Sequence, residues 1–157
     1  MNTYLLLKLV HILSSTLLFG TGLGTAFYLW RADRSGNPMV VASVARQVVV
    51  ADWCFTTPAV IVQPLTGFLL IHQLGIPLQT SWVLASLCLF VLIGLCWLPV
   101  VWIQIQIARL AATAVRDSTE LPARYHRLMR IWYMLGWPAF IGVMIVFWLM
   151  VFKPNLW

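Results

Sequence analysis

Residues Thr3–Leu29, TYLLLKLVHILSSTLLFGTGLGTAFYL, carry a single formal charge along a run that is otherwise apolar, small or weakly polar. A helix crosses the roughly 30 Å hydrocarbon layer of a bilayer with about 20 such residues, so this run predicts a membrane span. Its first half holds Lys8 and His11, its second half Gly20, Gly22 and Gly24. Ionisable side chains inside a lipid-soluble span are costly to keep, which makes Lys8 and His11 the first functional candidates.

Three more runs of this kind follow, and the four predicted helices cover residues of about 3–29, 48–73, 81–108 and 131–152. They form a single domain spanning 1–157 and an all-α, four-helix transmembrane bundle. Composition agrees: 157 residues that are 62% hydrophobic and only 9% charged, with a mean hydropathy of +0.91, exclude a soluble domain with a solvated surface. The net charge of +6 does not point to nucleic acid, because the basic residues stand at the ends of apolar runs rather than in a polar patch. Every arginine falls in the connection Arg31–Gln47 or the connection Arg109–Arg130. The positive-inside rule therefore assigns both connections to the cytoplasm and both termini to the outer, periplasmic side of a bacterial inner membrane.

Smaller signals fit this frame. Pro58, Pro64, Pro99 and Pro138 are expected to kink their helices. Tryptophans such as Trp30, Trp82, Trp102 and Trp132 lie near span ends, as an interfacial belt requires. The three cysteines, Cys54, Cys88 and Cys96, have no CxxC spacing and are expected to be buried small hydrophobes. The N-terminal run lacks a small-x-small cleavage site and is read as a permanent helix.

On the first helix Tyr4, Lys8, His11, Ser15 and Gly22 share one face. Lys8 is near enough to the helix start for its stem to snorkel to the interface. His11 lies about 12 Å deeper than the helix start and is too short to do so, so it needs a partner within the protein. His72 ends the second span on the same side, whereas His126 belongs to the opposite side. His11 and His72 are thus the histidine pair that topology permits, and facing imidazoles suit axial ligation of a haem iron. Without motif spacing, His72 suits an ordinary end-of-helix residue as well. Gly20 and Gly24, with Thr16, form a small-residue strip suited to close helix packing. Asp52, early in the second span, is expected to pair with Arg46, Arg127 or Arg130.

The order of motifs carries a resemblance. The opening Leu7-Lys8-Leu9-Val10-His11-Ile12, followed by Phe19-Gly20 and Arg31, is similar to the Lys-x-x-His-Ile start of the HemJ-type protoporphyrinogen oxidases. Thr57-Pro58-Ala59 with Gly67-Phe68-Leu69-Leu70 resembles the second helix of that family, and Pro138 with Val151-Phe152-Lys153-Pro154 its last. The chain resembles more closely an uncharacterised bacterial family of predicted integral membrane proteins. The resemblance implies a bundle that binds haem b or a porphyrin, with His11 at the matching histidine position. One departure matters: Trp82-Val83-Leu84-Ala85-Ser86 stands where the oxidases have Trp-x-His-Ala-Lys. A lysine associated with activity is thus replaced by Ser86, which leaves enzymatic activity open.

Two expectations result. In the first, the chain is a haem- or porphyrin-binding membrane redox protein with His11 and His72 as metal ligands and Lys8 beside a porphyrin propionate. In the second, it is a cofactor-free accessory subunit, docking a membrane partner or a second copy through Gly20 and Gly24.

Overall fold

Asn2 opens the first helix. Its side-chain oxygen accepts the Tyr4 N–H at 3.1 Å, and helix α1 then runs over Thr3–Ser35 in the computed structural model, which describes residues 2–157. The helix ends at Gly36, whose φ of 64° lies in the left-handed region and whose N–H bonds the Asp33 carbonyl at 3.1 Å. Gly36→Val should cost about 1–2 kcal/mol, the penalty of a Cβ in that conformation. A thermal melt in detergent would register it, and an unchanged midpoint would mean that the turn does not depend on its glycine.

After this turn, Asn37 caps the next helix by accepting the Met39 N–H at 2.9 Å, and Pro38 takes the first helical position, where its missing N–H costs nothing. Helix α2 (Pro38–Ala51) continues through one wider π-helical turn, Asp52–Thr56, into α3 (Thr57–Gln73). Helices α4 (Ser81–Arg116) and α5 (Ala123–Phe152) complete the chain. The elements Thr3–Ser35, Pro38–Gln73, Ser81–Arg116 and Ala123–Phe152 are each long and apolar enough to cross a membrane.

Side-chain bonds fix their directions. His11 meets Thr66 while Ser14 meets Gln63, so α1 and α3 run antiparallel. The Ser81 hydroxyl donates to the Pro154 carbonyl at 3.2 Å and accepts the Leu156 N–H at 3.0 Å, tying the C-terminal tail to the start of α4. Tyr125 and Tyr133 of α5 reach Asp33 near the end of α1. The start of α1, the 74–80 connection and the tail therefore share one end, and the turn at Gly36 and the 117–122 connection share the other.

The helices overshoot the apolar runs at that second end. The run between Arg31 and Gln47 is mostly helix rather than loop, and α5 starts at Ala123. The reason is a core that persists beyond the lipid-soluble stretches: Leu29, Ala32, Val41, Ala45, Ile107, Ala111, Tyr125 and Met129 are all buried there. The alanines let the helices approach closely, while every arginine of the chain is exposed around them. Helices here are held by a water-compatible core, which a count of lipid-soluble residues does not register. Toward the other end the surface is apolar instead, with Leu5, Leu9, Leu13 and Leu17 of α1 all exposed. Hydrocarbon is the solvent such a surface requires. The cysteines depart from expectation: Cys54 and Cys88 are exposed and Cys96 is half-buried, on faces where lipid replaces a protein neighbour.

Candidate functional site

The wide turn at Asp52–Thr56 stands immediately before Thr57-Pro58. Pro58 has no N–H to give to the Cys54 carbonyl, and its ring crowds that carbonyl, so an ordinary α-turn is disfavoured at this place. The chain instead bonds the Thr57 N–H to the Asp52 carbonyl, five residues back. Asp52 lies on the buried stripe Val41, Ala45, Val48, Asp52, Thr56, Ala59, whose steps of three and four face the bundle.

The Asp52 side chain is 4% exposed, and its Oδ1 accepts the Thr56 hydroxyl at 2.8 Å. Its Oδ2 has no partner. The expected ion pair is not formed. Arg46, six residues earlier, is about 120° away around the helix axis and exposed; Arg127 and Arg130 lie on the outer side of α5, whose inner side is taken by Leu128, Met129 and Trp132. Among the described residues the ion pair present is the exposed Arg116–Asp117 at 2.8 Å, where the guanidinium holds the Asp117 carboxyl below its usual range.

Two more buried polar atoms lack partners, Gln104 Oε1 and Trp132 Nε1. Gln104 approaches the Asp52 carboxylate without closing a bond to Oδ2. Both residues line the same cleft as Asp52, a space of about 460 Å³. Each such orphan costs on the order of 1–3 kcal/mol, so three around one cavity demand an explanation.

The walls are apolar. Leu18, Gly22 and Ala26 come from α1, Ile93, Trp97 and Val100 from α4, and Gly136, Trp137 and Phe140 from α5. A Cβ added at Gly22 or Gly136 would meet nothing within 4 Å, so these glycines contribute open space rather than a helix contact. At the rim Trp137 is 66% and Phe27 52% exposed, which opens the cleft toward the lipid-facing surface. Tyr133 also lines it; its hydroxyl donates to Asp33 Oδ2 at 2.9 Å, while the fully buried Tyr125 donates to Oδ1 at 2.9 Å.

His11 belongs to a separate polar cluster between α1 and α3. Its Nδ1 lies 2.9 Å from Thr66 Oγ1, and its Nε2 3.2 Å from Gln63 Nε2. The Thr66 hydroxyl gives its proton to the Val62 carbonyl, so Nδ1 is the donor and Nε2 accepts from the Gln63 amide. Ser14 completes the cluster by donating to Gln63 Oε1. The ring packs where Gly67 has no side chain, 3.4 Å from that residue's would-be Cβ. His11 does have the protein partners its depth requires, and they are Gln63 and Thr66.

The other predicted residues lie apart from this cluster. His72 is exposed, nine residues after Gln63, which is half a turn out of phase with the face that meets His11. Lys8 is exposed, with Nζ 5.9 Å from the Tyr4 ring centroid, one turn nearer the chain start, as anchoring requires. A Cβ at Gly20 or Gly24 would touch nothing within 4 Å, so no helix among the described residues fills that strip.

A family model described as "Predicted integral membrane protein (DUF2269)" matches residues 5–154. The chain belongs to this family. The DUF2269 match takes in all four spanning elements and both polar clusters. It agrees with the nearer of the two resemblances, that to an integral membrane family, and does not extend to the HemJ-type oxidases. No curated protein and no solved structure matches the chain.

The residues present do not fit a bis-histidine haem as they are packed. Two imidazoles on one iron need nitrogens separated by about twice a metal–nitrogen bond of roughly 2 Å. Here both His11 nitrogens are already engaged, His72 is out of phase, and the spacious cleft contains no histidine, cysteine or methionine.

Proposed function

We propose that this DUF2269 protein is a membrane-embedded binding protein whose cleft takes an amphipathic molecule from the bilayer. The ligand's polar group sits against Asp52, Gln104 and Trp132, and its apolar body lies along the Trp97, Trp137 and Phe140 walls. One observation carries this reading: three buried, unpartnered polar atoms gather at a cavity that is otherwise apolar. Ligand sites have this constitution, a largely apolar enclosure with a few polar groups that fix orientation. The rim on the lipid-facing surface supports entry from the bilayer, and the exposed arginines support a cytoplasmic side for the end that carries Gly36 and the 117–122 connection.

N-phenyl-1-naphthylamine, an apolar molecule with one N–H donor, is a suitable probe because Trp97, Trp132 and Trp137 line the cleft. In protein-loaded nanodiscs, energy transfer from tryptophan to the probe should saturate near one probe per chain, and Gln104→Leu should weaken it. Transfer that rises linearly with probe, as partition into empty discs does, would overturn the cleft reading. A Soret band in the same preparation that vanishes in His11→Ala would replace it with the haem reading.

A further inference from the structure

The chemistry of the cleft's polar end is unbalanced, and the imbalance defines a ligand class. Of the three orphan atoms, Trp132 Nε1 is a donor, while Asp52 Oδ2 and Gln104 Oε1 are acceptors on residues more than nine-tenths buried, so acceptors exceed donors and one of them carries charge. No lysine, arginine or histidine lines the cleft. Every arginine is exposed, including Arg46 on the same element as Asp52, Arg31 and Arg34 on α1 and Arg109 and Arg116 on α4, the helices packed against it. A carboxylate buried in a membrane protein is ordinarily met by a cation, and among the described residues none lines the cleft. Trp97, Trp132 and Tyr133 line the same cleft, and the faces of such rings attract a desolvated cation.

We infer that the ligand is a lipophilic cation, an aryl- or alkyl-substituted ammonium or similar onium ion, for which Asp52 is the counter-ion. This inference rests on the cleft reading and narrows it to one chemical class. A cation with apolar substituents partitions into the bilayer surface, reaches the rim at Phe27 and Trp137, and seats its charge at the π-helical turn. Neutral amphipaths use the same walls but leave the carboxylate unpaired.

The test compares two ions of one shape and opposite sign, tetraphenylphosphonium and tetraphenylborate, on the full chain in dodecylmaltoside by equilibrium dialysis. Tetraphenylphosphonium should bind saturably, and Asp52→Asn should weaken it by roughly tenfold or more; tetraphenylborate should not bind the cleft. Wild-type protein gives a second reading if that variant does not fold. Dicyclohexylcarbodiimide, an apolar reagent that adds to carboxyl groups, should label Asp52 by peptide mass spectrometry, and tetraphenylphosphonium should block the labelling where tetraphenylborate does not. Equal binding of both ions, or phosphonium binding indifferent to Asp52, would overturn the cation inference while saturable naphthylamine binding keeps the cleft. Failure of the naphthylamine to saturate would remove the cleft itself.

Discussion

Asp33→Ala is expected to lower the stability of the bundle by about 3 kcal/mol, because hydrogen bonds to a charged group are worth roughly 1.5–3 kcal/mol each and this carboxylate accepts two. Tyr125 donates to one oxygen and Tyr133 to the other, both at 2.9 Å. The three side chains bolt the end of α1 to the start of α5, which are far apart in sequence and meet across the core of Leu29, Ala32, Tyr125 and Met129. Tyr125 is fully buried, so losing its acceptor leaves a hydroxyl that water cannot reach. The effect should exceed the average of about 0.6 kcal/mol found for hydrogen bonds between helices within bilayers. Tyr133→Phe, which removes one bond from a half-buried residue and leaves the carboxylate its other partner, should cost less than half as much. Unfolding by dodecyl sulfate added to dodecylmaltoside micelles, followed by circular dichroism, measures both. A loss below about 1 kcal/mol for Asp33→Ala would show that solvent replaces the two bonds.

How much of this could be read from the sequence depends on which physical signal each feature leaves. The four spans leave the strongest one, because lipid imposes a length and an apolar composition that few other structures satisfy. The helical extensions beyond them leave a weaker one. Val41, Ala45 and Val48, or Ile103, Ile107, Ala111 and Ala114, keep the spacing of a buried face while exposed polar and basic residues interrupt the apolar run. Reading hydropathy alone assigns the interruption to a loop, whereas the periodicity continues across it.

The same periodicity would have located the cleft residues. Asp52 stands on the stripe that runs from Val41 through Val48 to Thr56 and Ala59, and Gln104 stands beside Ile103 and Ile107 on the stripe of α4. A polar residue at a buried-stripe position is exceptional, and a carboxylate there is more so. Of the three arginines expected to pair with Asp52, Arg46 is near in sequence, but six residues along a helix is the wrong phase for contact, and Arg127 and Arg130 face outward on α5. What the sequence does not disclose is that both residues reach one cavity, since that depends on how α2 packs on α4. The π-helical turn left only the indirect sign of Pro58, which disfavours an ordinary turn without saying what replaces it. His11 is the converse case. Its depth required a protein partner, and the contact between α1 and α3 supplies Gln63 and Thr66, whose place on the continuing stripe Ala59, Gln63, Thr66 was equally legible.

One stripe on the second spanning element thus carries the core, then the cleft carboxylate, then the partners of His11, and the middle level adjoins the cleft. That arrangement predicts a separation of stability from binding, and Gly22 and Gly136 are the places to test it. Both glycines line the cleft from opposite walls, and a side chain at either begins in empty space. Gly136→Leu should leave the melting midpoint unchanged or raise it, since glycine within a helix is less favourable than other residues by up to about 1 kcal/mol. Binding of the naphthylamine probe should fall by roughly tenfold or more because the leucine occupies the space of the ligand. Gly22→Leu should do the same from α1, and the two substitutions together should abolish saturable binding. Gly142→Leu is the contrasting case: its Cβ would lie 2.9 Å from Ile93 Cγ1, where α4 and α5 approach closely, so it should destabilise the bundle. Probe binding that survives in a well-folded Gly22→Leu, Gly136→Leu double variant would show that the ligand does not occupy the cleft, however well Asp52 suits it.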